Sequence, residues 1–165
     1  SEASARGREV ICSLLLDEMS IKKQIEFVGN NMWGYTDIGI ECENDNIEAA
    51  TEVLVIMVVA HQSCWKIPIA YFLIKSLTGI EKTNIVEECL RRLHEIGIAI
   101  TSITCDGPTA NFRIITELGC EIQDIHNLKT WFGHPCDGNV RIYSVLDPCH
   151  ILKLLRNLLA TLQDI

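Results

Sequence analysis

The stretch Ser13-Leu14-Leu15-Leu16-Asp17-Glu18-Met19 combines an apolar run with carboxylates at its end. A run of this length and composition is typical of a buried β-strand. A second stretch, Ile98-Ala99-Ile100-Thr101-Ser102-Ile103-Thr104-Cys105-Asp106, has the same organisation and precedes Gly107-Pro108. A charge next to a strand interior is costly unless it is paired, hydrogen-bonded or bound to a metal. Asp17 and Asp106 are therefore the first candidates for a functional site, and a turn-forming role is the alternative for each.

The composition is that of one folded domain. The chain has 165 residues, of which 48% are hydrophobic, enough to bury a core. Its longest apolar runs, 53–60 and 67–74, are too short to cross a bilayer, so we expect no membrane segment. The eight cysteines are scattered and include no Cys-x-x-Cys pair. This pattern favours reduced thiols in an intracellular protein over disulfides or a zinc site.

The net charge of −8 is concentrated in one acidic region. Between Gln24 and Trp65 the chain contains no Lys or Arg, although it contains several Asp and Glu residues there. An acidic surface repels the phosphate backbone, so we expect this chain alone to bind nucleic acid weakly or not at all. Any function on DNA requires a basic surface from elsewhere.

The first half of the chain reads mainly as β-strands. Strands are predicted over 9–17, over 52–61, where the β-branched run indicates burial on both faces, and over 66–74, where Pro68 indicates an edge strand or an irregular strand. Gly29-Asn30-Asn31 predicts a hairpin turn, and 40–50 an acidic connection. Residues 1–8 are small and polar, and we expect them to be disordered.

The second half alternates helices with strands. Thr83 is predicted to cap a helix that ends at Gly97, and a second helix is predicted from Pro108 to Gly119. An irregular stretch over 120–139, in which Asp137-Gly138-Asn139 predicts a turn, and a strand over 140–146 follow. Asp147 and Pro148 then form a helix-start signature, which competes with any metal role for Asp147. The order of elements predicts an α/β fold: a mixed sheet flanked by helices.

Six stretches, in order, resemble the catalytic domain of P-element-type transposases, the family that includes the THAP-domain transposases. They cover the chain from about Leu14 to Asn157, and six in order are far more specific than one. The stretches are Leu16-Asp17-Glu18-Met19-Ser20-Ile21-Lys22-Lys23, Gly34-Tyr35-Thr36-Asp37-Ile38-Gly39, Trp65-Lys66-Ile67-Pro68-Ile69-Ala70-Tyr71-Phe72-Leu73, Thr104-Cys105-Asp106-Gly107, Phe132-Gly133-His134-Pro135, and Leu146-Asp147-Pro148-Cys149-His150-Ile151-Leu152-Lys153-Leu154-Leu155-Arg156-Asn157.

The resemblance implies an RNase H-like fold, in which the first strand lies beside the strand that follows the first helix. Asp17 and Asp106 would then be neighbours that bind Mg²⁺ or Mn²⁺ for DNA cleavage and strand transfer, with Asp147 as a third candidate ligand. Oxygen-only ligands suit these ions better than zinc. Glu18 would face the other side of its strand, so Asp17 is the preferred ligand. The resemblance also implies a nuclear location and transposon DNA as the partner in the intact family.

Several features of the intact family are expected to be missing from this chain: the third catalytic acid, the THAP zinc finger and the GTP-binding inserted domain. We divide the chain into a segment 1–8, the first part of an RNase H-like domain over 9–147, and a truncated helix over 148–165 that leads toward the insertion. The fold is thus expected to be incomplete at its C-terminal end. Whether this chain is itself an enzyme stays open. The first hypothesis is that this chain is part of the catalytic domain of a transposase and functions together with the remaining transposase domains or as a homo-oligomer. The alternative is a domesticated, non-catalytic scaffold that binds a protein partner.

Overall fold

The computed structural model describes residues 10–29, 31–37, 48–106, 109–124 and 126–162. The strands are β1 (Val10–Ser20), β2 (Glu26–Val28), β3 (Asn31–Trp33), β4 (Glu52–Ala60), β5 (Lys66–Ile74), β6 (Ile98–Cys105), β7 (Trp131–His134) and β8 (Asp137–Leu146). The helices are α1 (Gly79–Glu95), α2 (Thr109–Glu117) and α3 (Pro148–Leu162).

Six strands form one mixed sheet in the order β5-β4-β1-β6-β8-β7, and β2 and β3 form the predicted hairpin. The strand β1 is antiparallel to β4 and parallel to β6, which is in turn parallel to β8. This arrangement confirms the predicted mixed sheet, with the first strand beside the strand that follows the first helix. It also confirms that β5, which carries Pro68, lies at an edge.

The hydrophobic core lies between one face of the sheet and the helices α1 and α2. Alternate residues of the central strands point into it because successive side chains of a strand face opposite sides. Leu14 and Leu16 of β1 are 0% and 6% exposed. The helices contribute Val86, Leu90, Leu93, Ile114 and Ile115, and the remaining strands contribute Ile56, Val58, Ile100, Ile103, Phe132 and Ile142.

The opposite face of the sheet is only half-buried. In β4, buried Leu54, Ile56 and Val58 alternate with half-buried side chains, so the predicted burial of this strand on both faces is wrong. The physical reason is that both helices of the core pack on the same side of the sheet. The third helix, α3, has no buried residue. In the described part of the chain, no helix has both the length and the apolar character needed to cross a membrane.

The helix α1 begins earlier than predicted. Its N-cap is Thr78, whose hydroxyl accepts from the backbone N–H of Glu81, while the Glu81 carboxylate accepts from the backbone N–H of Thr78. This capping box satisfies two donors that a helix start otherwise leaves unpaired. Thr83, the predicted cap, lies inside the helix, where its hydroxyl donates to the Gly79 carbonyl at 2.8 Å. The predicted end is confirmed, since Gly97 has a φ of 78° after the C-cap residue.

The predicted irregular stretch over 120–139 contains a strand. The strand β7 pairs with β8, and the reversal between them lies at 135–136, so Asp137 belongs to β8 and not to a turn. His134 ends β7 and is 5% exposed. Its Nδ1 accepts the backbone N–H of Cys136 at 3.0 Å, which stabilises this reversal. The two-residue connection thus depends on a neutral imidazole acceptor, a feature that the turn-forming residues of the sequence did not indicate.

Stability is expected to fall on mild acidification because of His134. Burial, and then the charge of nearby His94, lower the pKa of the His134 imidazole from 6.5 in the folded protein. Unfolded chains therefore take up a proton first, and the stabilisation is complete above about pH 6.5 and is lost as the pH falls below that value. Urea unfolding at stepped pH values measures this loss. His134→Asn, which keeps an acceptor for Cys136, should flatten the profile; an unchanged profile in that variant contradicts the assignment.

Some predicted features lie outside the described residues. They are the segment 1–8, most of the acidic connection over 40–50, Asn30 of the predicted turn, and Pro108, the predicted start of the second helix. The described cysteines are all free thiols, and three of them, Cys12, Cys105 and Cys120, are buried. The division of the chain at 8 and 147 stays a prediction.

Candidate metal centre at the strand ends

The pairing between three parallel strands stops at one level of the sheet, and in each strand the next residue along the chain is an aspartate. The strand β1 itself continues past Asp17 to Ser20, so it is longer than the predicted strand over 9–17. Leu16 of β1 pairs with Cys105 of β6, which pairs with Leu146 of β8. The next residues along the chain are Asp17, Asp106 and Asp147. Neighbouring strands lie about 4.8 Å apart. The structure therefore places Asp17, in β1, and Asp106, directly after β6, at neighbouring positions, which is the arrangement that the family resemblance implies.

The two residues after Leu16 lie on opposite faces of the sheet. Leu16 points into the core, so Asp17, which is exposed, lies on the face away from α1 and α2. Glu18 returns to the helix side, where its carboxylate accepts from the Lys82 ammonium of α1. This geometry agrees with the choice of Asp17, and not Glu18, as the candidate ligand.

Asp147 takes the helix-capping role that competed with metal binding. Its side-chain Oδ1 accepts from the backbone N–H of Cys149 at 3.0 Å, and its carbonyl accepts from Ile151 at 3.1 Å. Its own N–H donates to the Cys105 carbonyl at 3.0 Å, which ties the start of α3 to the end of β6. Across the part of the chain that the structure describes, no group of three or more His, Cys, Asp or Glu residues is arranged to hold a metal ion.

The thiol beside Asp106 lies on the core side of the sheet, because Cys105 is buried in the core next to Leu16, away from the face that carries Asp17. Burial, followed by the charge of Asp106, raises the pKa of Cys105 to about 12. A thiol with this pKa is protonated at neutral pH, and only the thiolate is a good nucleophile or metal ligand. The donors on this face are therefore carboxylate oxygens, which suit Mg²⁺ or Mn²⁺ better than zinc. Two carboxylates are a partial ligand set for such an ion.

One polar pair next to this centre was not predicted from the sequence. Lys82 is 4% exposed and forms an ion pair with Glu18. A lysine in a helix usually projects into solvent, and neither residue belongs to a spacing pattern that indicates contact. The two lie 64 positions apart, so only the packing of α1 on the sheet brings them together.

The chain matches one family model and is similar to known transposases. The model described as TNP-like, RNase H N-terminal domain, matches residues 2–119. The human DNA transposase THAP9 is 28% identical over 157 residues, which cover 93% of this chain and 17% of that protein. The P transposase of Drosophila melanogaster is 31% identical over 147 residues, which cover 89% of this chain and 17% of that protein.

A solved structure has the same fold. The Drosophila P element transposase strand transfer complex matches with a TM-score of 0.66 and 28% identity, covering 89% of this chain and 28% of that chain. The chain therefore spans about one sixth of the length of the curated relatives and under a third of the solved chain. Its strand order, its paired strand ends and the family match over residues 2–119 lead to one conclusion: the chain belongs to the TNP-like RNase H N-terminal domains and is a transposase-related, RNase H-like domain.

Proposed function

We propose that this domain supplies two carboxylates, Asp17 and Asp106, to a metal-dependent centre for DNA cleavage and strand transfer. The supporting observation is their position after paired residues of the parallel strands β1 and β6, in a domain related to DNA transposases. Two adjacent carboxylates repel each other, and a divalent cation between them relieves that repulsion. When bound, Mg²⁺ or Mn²⁺ lowers the pKa of an attacking water or hydroxyl and stabilises the leaving oxygen.

The residues of this chain would hold such an ion on the exposed face of the sheet end. Asp17 is exposed there and is thus accessible to a DNA phosphate. The net charge of −8 opposes DNA binding by this chain alone, so the basic surface for transposon DNA would come from other parts of a transposase or from another copy. A nuclear location, and a GTP requirement arising from a separate domain, belong to the same proposal.

Metal binding is expected to raise the thermal stability of the domain. An ion that binds only the folded state contributes about 1.4 kcal/mol at ten times its dissociation constant. In a domain of this size that free energy raises Tm by roughly 3–6 °C. With two carboxylate ligands the affinity should be weak, so the shift should require millimolar Mn²⁺ or Mg²⁺. Asp106→Asn should remove the shift, and in metal-free buffer it should be neutral or mildly stabilising because one repelling charge is lost.

A matched control is available at the third strand end. Asn caps helices about as well as Asp, so Asp147→Asn should keep both the fold and the metal-dependent shift if Asp147 is only a cap. Thermal melts of the three proteins with and without Mn²⁺ measure all of these effects. Equal melting temperatures of the wild type with and without metal would contradict the metal centre.

A second function, a scaffold that binds a protein partner, has one observation in its favour. The helix α3 has no buried residue, and its leucines are between 47% and 66% exposed: Leu152, Leu154, Leu155, Leu158, Leu159 and Leu162. A helix that is apolar around most of its surface needs protein contacts on several sides. If the melts show no metal effect, this non-catalytic function becomes the better account.

A further inference from the structure

Lys82 is the one Lys, Arg, Asp or Glu residue that is buried in the part of the chain described. Its Nζ donates to Glu18 Oε1 at 2.5 Å, and the two side chains are 5% and 23% exposed. Replacing a buried ion pair by apolar side chains of similar size is often neutral or stabilising. A contribution to the stability of the fold is therefore a weak explanation for the Lys82–Glu18 ion pair. Its location next to Asp17 points to a different role.

The last residues of β1 have backbone pairing on one side only. Pairing between β1 and β6 ends at Leu16 and Cys105, whereas pairing between β1 and β4 continues to Ser20 and Glu52. Asp17 and Glu18 are thus the first residues beyond the three-strand region. The Lys82–Glu18 ion pair adds a second attachment for this segment, from the helix layer beneath the sheet.

The N-terminal end of α1, which contains Lys82, is stabilised by several hydrogen bonds. The capping box between Thr78 and Glu81 closes the first turn of α1, and the Thr83 hydroxyl bonds to the carbonyl of Gly79 at 2.8 Å. Lys82 lies between these contacts, so its backbone position is well defined. An ion pair from a fixed helix start restrains the strand end more than one between two flexible surface side chains.

We propose that Lys82 and Glu18 are positioning residues, which hold Asp17 in place at the candidate metal centre from the opposite face of the sheet. The pair also keeps the Glu18 carboxylate on the helix side, away from a cation beside Asp17. This role rests on the proposed function of Asp17 as a ligand, but the restraint of the strand end can be measured without any metal.

The test compares the wild type with three variants. The double variant Glu18→Gln/Lys82→Met removes both charges and keeps similar side-chain volumes. Lys82→Arg keeps the ion pair. The control double variant, Glu88→Gln/Arg92→Met, removes a solvent-exposed ion pair of 2.7 Å on the same helix. Each protein is examined by amide hydrogen exchange over residues 17–20 in metal-free buffer, by urea unfolding, and by its Mn²⁺-dependent thermal shift.

We expect the double variant to exchange the amides of residues 17–20 at least tenfold faster, with global stability close to that of the wild type, and to lose at least half of the Mn²⁺ shift. The control double variant and Lys82→Arg should match the wild type in hydrogen exchange, in global stability and in the Mn²⁺ shift. If the double variant is too unstable to examine, Lys82→Met alone, which leaves the unpaired charge on the more exposed Glu18 and not on the buried Lys82, should still give faster exchange over residues 17–20.

Unchanged exchange over residues 17–20 in the variants that lose the ion pair overturns the positioning role. Faster exchange with a full Mn²⁺ shift also overturns it, because the restraint would then not serve Asp17. A wild type without any Mn²⁺ shift is a different result: it overturns the proposed metal centre, and the exchange data still decide whether the pair restrains the strand end.

Discussion

Leu14→Ala is expected to lower the free energy of unfolding by about 2–5 kcal/mol, the usual cost of truncating a fully buried leucine. Leu14 is 0% exposed and packs in the core between the sheet and the two helices. The loss comes from the removed apolar contacts and from the cavity that remains. In a domain of this size each kcal/mol corresponds to about 2–4 °C in Tm, so thermal melts and urea unfolding should both detect it.

Leu15→Ala is the matched control, because the same side chain is removed one position further along the strand. Leu15 lies on the half-buried face, so its truncation should cost only about 1 kcal/mol. The ratio of the two losses tests the alternation on which the placement of Asp17 depends. Equal losses would mean that both faces of β1 are buried to the same extent, contrary to this structure.

Gly34→Ala is expected to destabilise the region around the β2–β3 hairpin by about 3 kcal/mol. Gly34 has a φ of 101°, which residues with a Cβ rarely adopt, and a Cβ there would overlap the backbone carbonyl oxygen of Gln24. The backbone would have to move, and the Gly34 carbonyl would then lose its hydrogen bond from the Ala50 N–H at 2.8 Å. Urea unfolding, with NMR signals of Trp33 and Tyr35 as local probes, measures the effect.

The Gly29→Ala variant separates the effect of a positive φ from the effect of the Cβ overlap with Gln24. Gly29 also has a positive φ, 63°, but a Cβ there meets no atom within 4 Å. Its substitution should therefore carry only the backbone strain, about 1–2 kcal/mol. A loss at Gly34 no larger than the loss at Gly29 would show that the chain avoids the overlap with Gln24 without breaking contacts.

The strands β1 and β6 were predictable because local apolar runs determine them, and the same runs lead to Asp17 and Asp106. Their side-by-side position is not contained in any local pattern; it was predicted from the family resemblance, and the pairing of β1 with β6 agrees with it. The errors arose where two local signals competed. Thr78 and Thr83 are both plausible caps, and only the Glu81 partner three residues after Thr78 decides between them. In the same way, the Asp-Gly-Asn turn signal at 137 concealed the start of β8.

Other features depend on tertiary contacts that no local pattern contains. The burial of β4 on one face follows from which side of the sheet the helices occupy, and the β-branched sequence of that strand suits either outcome. The contact between Glu18 and Lys82 requires the packing of α1 against the end of β1. Whether Asp17 and Asp106 bind a metal ion stays a prediction, since it depends on a ligand and not on the fold.

The connection between β8 and α3, at Asp147, links the position of that helix to the candidate metal centre. Asp147 donates its N–H to the Cys105 carbonyl and accepts through its carboxylate from Cys149 in the first turn of α3, so one residue contacts both the end of β6 and the start of the helix. The helix has 15 residues and is therefore about 22 Å long. A tilt of ten degrees at this connection displaces its far end by about 4 Å. A partner that binds the leucines of α3 and tilts the helix would therefore also displace Asp147. Through the hydrogen bond from Asp147, the displacement would reach Cys105, the residue immediately before Asp106.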